Sequence, residues 1–513
     1  MKKIATLLFV YLLSTNIHGQ FSSLQWQKSI GGGMYEFSKE IEYTTDGGTI
    51  NIGYTESSDG DVLFNHGGGD CWIVKLNASG AIDWKQAYGG TGFDYGYSIK
   101  QTPDGGYIAA GYTESHDGDV TINKGGGDCW IIKLDNSGTI IWQKTFGGTS
   151  NDNGQSIAIT ADGGYIVTGY TESNNGDVTW NHGAGDCWIL KLNNSGNLQW
   201  QKALGGSSYD FGQDVKPTSD GGYILSIGSN SNDGDVITQH GNGDCWIVKL
   251  DNSGSIQWQN SFGGSNYDFG QSIEQTIDGG FILAGYSESN DGDVTAQHGN
   301  GDCWVVKCDK FGNLQWQKAL GSTGNDYAYS IKQIASGGYI LTGYSGLNDG
   351  DVTGNHGDYD CWVIELDDMG ILRMQKSFGG TGTDIGYSIR QTSPDSYIIA
   401  GYSTSNDGDV TGNHGGGDCW ILRLNVSTLS ISDNSQEQTI TVAPNPSLGN
   451  FNFSGLIDES VIEIYDITGK ILIQTKVSGI NYSLNLGEES KGIYFYKVTT
   501  KDGTDKTGKI ILN

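Results

Sequence analysis

Proline and positive charge are both scarce: 5 of 513 residues are proline, and 29 are Lys or Arg against 59 Asp or Glu. So little proline excludes a collagen-like chain, although the 82 glycines are more than twice the usual share of roughly 7%. The net charge of −30 repels phosphate, which argues against nucleic acid and anionic membrane as partners. Beyond the N-terminal stretch no run reaches 18 apolar residues, so no transmembrane helix is expected. Large apolar groups, by contrast, are plentiful: 14 Trp, 27 Tyr and 15 Phe. A disordered chain lacks such groups and cannot offset the entropy of folding. Glycines and aromatics with almost no proline predict many short strands joined by tight turns, hence a large all-β protein.

The chain opens with Lys2 and Lys3, an apolar run from Ile4 to Leu13, and a polar stretch to Gly19. That order predicts a secretory signal over 1–19, with a run too short to span a bilayer. The first cysteine is Cys71, so no lipid-anchored N-terminus is expected.

From there to about residue 425 the chain repeats itself. Asp-Cys-Trp recurs at Cys71, Cys129, Cys187, Cys245, Cys303, Cys361 and Cys419, at a constant interval of 58 residues. Trp26, Trp84, Trp142, Trp200, Trp258 and Trp316 keep the same period, with Met374 in the seventh place. Within one unit, strands are predicted at Gly96–Thr102, Tyr107–Tyr112, Cys129–Leu134 and Ile140–Thr145, with turns at Asp104-Gly-Gly106 and Asn136-Ser-Gly138. Four antiparallel strands repeated seven times are the signature of a seven-bladed β-propeller, predicted over 20–426. The first strand, Leu24–Lys28, is a lone fourth strand, and the last unit stops at its third. Trp26 should therefore lie on a strand beside that of Trp420, closing the last blade with the N-terminus. The run Asp128-Cys-Trp-Ile-Ile-Lys-Leu-Asp-Asn-Ser-Gly138, followed by Trp142-Gln-Lys-Thr-Phe-Gly-Gly148, resembles the SBBP-type propeller repeats of secreted bacterial proteins. That resemblance implies the fold and carries no single activity.

A polar linker is predicted over 427–439, and short strands resume in 440–513, sized for a small Ig-like β-sandwich. Ala443-Pro-Asn-Pro-Ser447, Gly449-Asn-Phe451, Tyr465-Asp-Ile-Thr-Gly-Lys470 and Gly492-Ile-Tyr-Phe495 resemble the C-terminal sorting domain of the type IX secretion system of Bacteroidota. The resemblance implies that the secretion machinery is a partner, and that the protein crosses the outer membrane to the cell surface or the medium.

Two sets of carboxylates are the candidate sites. Asp94, Asp152, Asp210, Asp268, Asp326 and Asp384 follow the blade-to-blade connections, on the face where a propeller commonly binds. The long loops on that face carry Asp59 and Asp61, Asp117 and Asp119, Asp177 (after Asn175), Asp233 and Asp235, Asp291 and Asp293, Asp349 and Asp351, and Asp407 and Asp409. Carboxylates two residues apart around a glycine suit Ca²⁺, which is the candidate cofactor. The competing reading is that they bond to loop amides and shape the turn. His66, His182, His240, His298, His356 and His414 recur, but Lys124 in the second copy argues for loop packing over zinc. Third strands some 17 Å from the axis put equivalent cysteines roughly 15 Å apart, beyond the ~7 Å reach of a disulfide, so eight free thiols are expected. Gly-x-Ser-x-Gly and His-Glu-x-x-His motifs are absent. The favoured reading is a secreted or surface binding and adhesion propeller with repeated acidic loop sites for glycan or protein. The alternatives are a purely structural surface protein and a polysaccharide-acting enzyme on the propeller face.

Overall fold

The computed structural model describes residues 20–427, 440–456, 459–467, 469–500 and 505–513. The signal expected over 1–19 and nearly all of the linker lie outside the described residues. The chain divides into two compact units, 1–428 and 429–513.

The first unit is seven four-stranded antiparallel sheets. The second blade runs Asp94–Gln101, Tyr107–Thr113, Asp128–Leu134 and Ile140–Phe146. Each strand meets its sequence neighbour, so every blade is an up-and-down meander. A Cβ on Gly111 would sit 1.9 Å from the Tyr95 carbonyl oxygen, which is why glycine stands in that second strand. The innermost strand carries a bulge in every blade, at residue 97 in the second, between Gly96 and Ser98.

The last blade is completed by Gln20–Ile30, which pairs with Asp418–Ser427. Trp26 lies opposite Arg423, and Lys28 opposite Ile421. The indole of Trp420 donates to Gln27 Oε1 at 2.9 Å, reproducing the Trp130–Gln143 bond that a continuous blade makes internally. The link from blade to blade closes the circle as well. Asp94 N donates to Gly69 O at 2.8 Å, and Glu36 N donates to Gly417 O at the same distance.

The apolar core lies between blades. One outward face contributes Cys71 and Ile73, and the facing blade contributes Trp130, Ile132 and Leu134. The next interface repeats the arrangement with Cys129, Ile131 and Trp188. Because Cys and Trp alternate along the strand, each blade sends its cysteine to one neighbour and its tryptophan to the other. All eight cysteines are buried and free, as expected. Met374 fills its blade interface as a buried side chain where the other copies use Trp.

The second unit has a three-stranded sheet (Thr441–Ala443, Asn450–Ser454, Asn481–Asn485) and a four-stranded one (Ser460–Tyr465, Ile471–Val477, Gly492–Thr499, Asp505–Leu512). Phe451, Phe453 and Leu484 from the first meet Ile462, Ile464 and Val498 from the second in one core, which makes a small β-sandwich. Among the described residues no helix is long and apolar enough to cross a membrane.

Candidate binding face and axial channel

Each long loop folds back on the connection that enters its own blade. Asp117 Oδ1 accepts from Thr91 N at 2.8 Å, and Asp119 Oδ2 accepts from Gly89 N at 3.2 Å. Gly118 between them has φ +62°, the left-handed corner that turns the two carboxylates apart. The first of these bonds recurs from Asp59, Asn175, Asp233, Asp291, Asp349 and Asp407. The second recurs from Asp177, Asp235, Asp293, Asp351 and Asp409, while Asp61 instead pairs with Lys85 at 2.6 Å. The paired loop carboxylates thus receive backbone N–H groups from the blade connections. Among the described residues no three His, Cys, Asp or Glu gather as a metal ligand set.

The Asp94 series lies inside the fold. Asp94, Asp152, Asp210, Asp268, Asp326 and Asp384 are each 0% exposed, as is Glu36, their counterpart in the first blade. Asp94 Oδ2 accepts from Gly90 N at 2.8 Å and from the Ser115 hydroxyl at 2.7 Å. The acid before each cysteine is equally buried. Asp70 Oδ2 takes the backbone N–H of His66 at 3.0 Å and its ring Nδ1 at 2.6 Å. Asp70 Oδ1 and Asp94 Oδ2 both lie against Gly89, where a Cβ would approach them to 2.7 and 2.5 Å. Paired carboxylates therefore bridge neighbouring blades, and Asp418 with Glu36 makes the pair that closes the ring. Burial raises Asp70, Asp94, Asp152, Asp326 and Asp384, and it pushes Asp128 and Asp360 up to about 6. The recurrent histidines pair with these acids four residues on, and Lys124 keeps the backbone bond to Asp128 at 2.9 Å. Burial raises every thiol above its ordinary value.

Beside the exposed first acids of the long loops, such as Asp59 and Asp117, the loop face exposes large apolar side chains. Leu63 (82%), Phe64, Ile122, Trp180 (67%) and Ile237 project from the long loops of the first four blades. The corresponding places in the last three blades hold Thr295, Ala296, Thr353, Gly354, Thr411 and Gly412. Tyr35, Phe93, Tyr209 and Tyr267 are partly exposed on the blade connections of the same face.

The second heterogeneous region is the axis. The seven bulged residues, Lys39, Tyr97, Gln155, Gln213, Gln271, Tyr329 and Tyr387, line a central cavity of about 70 Å³. Below them Glu40 takes Lys100 at 2.5 Å and Arg390 at 2.7 Å, and Asp214 pairs with Lys216. Burial alone would raise Glu40, yet the Lys100, Arg390 and Lys216 charges hold it well below the carboxylate range. Sequence reasoning missed this channel because motif comparison rewards what repeats. The signal was a column in the 58-residue alignment whose chemistry changes from copy to copy.

These elements define a β-propeller with a separate C-terminal β-sandwich. Residues 441–513 match the family of secretion system C-terminal sorting domains, so the chain carries the signature of type IX export to the outer surface or the medium. Regulatory protein FlaEY of Caulobacter vibrioides is 23% identical over 383 residues, covering 65% of this chain. The match spans only 39% of that relative's length. Among solved structures, PorZ, a surface component of the type IX secretion system of Porphyromonas gingivalis, aligns with 96% of this chain and 61% of its own. Its identity is 10% and its TM-score 0.37. A Dyadobacter fermentans protein of unknown function aligns over 79% of this chain and 99% of its own, at 10% identity and TM-score 0.40.

Proposed function

We propose that this exported propeller is a surface binding and adhesion module whose partner is a protein, gripped on the loop face by the first four blades. The observation behind this reading is the arc of exposed Leu63, Phe64, Ile122, Trp180 and Ile237, set against Thr, Ala and Gly on the other three blades. Isolated exposed apolar residues are ordinary, but a run of them at two adjacent loop positions in consecutive blades is the kind of patch that marks an interaction surface. Trp at such a place is a frequent anchor residue. The arc favours one extended partner over seven equivalent acidic sites. Glycan is the second reading, favoured by the partly exposed rings of Tyr35, Phe93, Tyr209 and Tyr267, which offer faces for sugar stacking.

The test is binding of the purified full chain to immobilised panels of extracellular proteins and glycans. A variant with Phe64→Ser, Ile122→Ser and Trp180→Ser should lose protein binding at least tenfold while keeping its melting temperature. Glycan binding that survives this variant and disappears with Tyr209→Ser and Tyr267→Ser would support the second reading instead. No binding to either panel would leave a structural surface protein as the better description.

A further inference from the structure

We propose that the axial channel holds one binding site for a short-chain monocarboxylate of two or three carbons, with the Lys39 ammonium as its counter-ion. The site is independent of the loop-face reading.

The β-bulge is what builds it. In each blade the extra residue of the innermost strand is thrown out of the ladder and re-aimed, here toward the axis. Six of the seven bulged residues are neutral, Tyr or Gln, and the seventh is Lys39. The other axial charges have partners: Glu40 has Lys100 and Arg390, Asp214 has Lys216, and Lys332 lies 3.8 Å from Glu274. Lys39 has no carboxylate within salt-bridge distance among the described residues. Its ammonium lies instead over the rings of Tyr387 and Tyr329, 4.5 and 4.9 Å from their centres. Such ring faces stabilise a cation less than a hydrogen-bonded carboxylate partner does. Burial accordingly lowers Lys39 to about 8. The hydroxyls of Tyr97, Tyr329 and Tyr387 make no hydrogen bond to the described protein. One cation and several unspent donors therefore face one small space in a chain that is otherwise strongly acidic.

Charge and volume select the ligand class. A single uncompensated ammonium calls for a single negative charge. The other charges that line the cavity, Glu40 and Asp214 with Lys216, Lys332 and Arg390, are already engaged in ion pairs and leave nothing to balance a second charge on the ligand. The cavity of about 70 Å³ exceeds the roughly 10–15 Å³ a single water needs, yet it is less than half the ~150 Å³ space that takes a benzene ring. That leaves room for a carboxylate with one or two further carbons. Its oxygens would accept from Lys39 and the tyrosine hydroxyls, and its alkyl end would lie against the tyrosine rings.

The experiment is titration of the full chain with ¹³C-acetate, followed by NMR, beside acetamide, sulfate and hexanoate as neutral, divalent and oversized probes. Saturable acetate binding at one site per chain is expected. Lys39→Gln should weaken it at least tenfold and Tyr387→Phe a fewfold, at unchanged melting temperature. Acetamide, sulfate and hexanoate should each bind at least tenfold more weakly than acetate. Should Lys39→Gln fail to fold, Tyr387→Phe carries the same test through loss of one hydroxyl. Absence of acetate binding, equal binding of acetamide or sulfate, or full affinity in both variants would each overturn the proposal.

Discussion

The shell between blades and the wall of the axis are made from the same seven units, yet they follow opposite rules. In the shell, Cys, Trp and the two buried acids stand at the same place in nearly every copy, because each copy must pack against an identical neighbour. At the axis, seven copies of one position converge on a single space. Seven identical charges there would repel one another, so the column becomes Lys, Tyr, Gln, Gln, Gln, Tyr, Tyr. Repetition sets the architecture, and departure from repetition sets the chemistry.

The largest expected effect breaks the shell at the blade built from both ends of the repeat. Removing residues 20–30 strips the last blade of its outer strand and leaves Asp418–Ser427 as an unpaired edge. Calorimetry should show a broad, lowered transition with aggregation. A sharp transition at the original temperature would mean that the closing strand contributes little. Next comes Trp130→Ala, which opens a cavity between two blades and should cost about 3–5 kcal/mol in denaturant unfolding. The axial counterpart, Gln155→Ala, should shift the midpoint by less than about 0.5 kcal/mol, since nothing packs on it as a core. Equal losses at the two places would erase the contrast between shell and axis.

The shell was legible because each of its demands is periodic. The spacing of Cys129 and Trp130 placed a third strand, Asp104-Gly-Gly106 a hairpin turn, and the lone strand around Trp26 the mode of closure. The axis was harder to read for the same reason: the bulge that turns Lys39 inward is a backbone event, and its one trace in the sequence is a column that fails to repeat. The carboxylates were half legible. The recurrence of Asp94 in six copies and of Asp119 in all seven was plain, but an acid kept to bind and an acid kept to staple a loop look alike in sequence. The burial of Asp94 and the amide donors around Asp117 and Asp119 are visible only in the structure.

The buried pairs give a pH test of intermediate size. Asp128 and Asp360 are raised to about 6 in the folded chain, against 3.8 for the ordinary group. A raised folded value means that the stabilisation is fully present below about pH 4 and is lost as pH rises through 6. Asp46, Asp162 and Asp220, on the opposite hairpins, have the reverse sign. Burial there is outweighed by the bonds from Lys75, Thr160 and Thr218 and their neighbours, which hold these acids at about 2. Their contribution is present above about pH 4 and is lost as pH falls through 2. The melting temperature should therefore fall on both sides of pH 4, with Asp128→Asn and Asp360→Asn flattening only the pH 4–6 limb. A limb unchanged in the double variant would remove Asp128 and Asp360 as its cause.

The smallest expected effect is a null, and it separates stapling from ligation in the loops. If Asp117 and Asp119 held calcium, a saturating excess of metal, 100 times the dissociation constant, would stabilise the fold by about 2.7 kcal/mol for one site and more for several. In the structure these side chains already accept from Thr91 N and Gly89 N, and Gly118 turns them apart. Millimolar calcium and chelator should thus give the same melting midpoint to within a degree. Asp117→Asn should keep the bond to Thr91 N, just as Asn175 keeps the equivalent bond to Thr149 N at 2.9 Å. Asp117→Ala should lose it, at about 1 kcal/mol. A calcium-dependent rise in the midpoint that Asp117→Asn abolishes would restore the metal reading of this face.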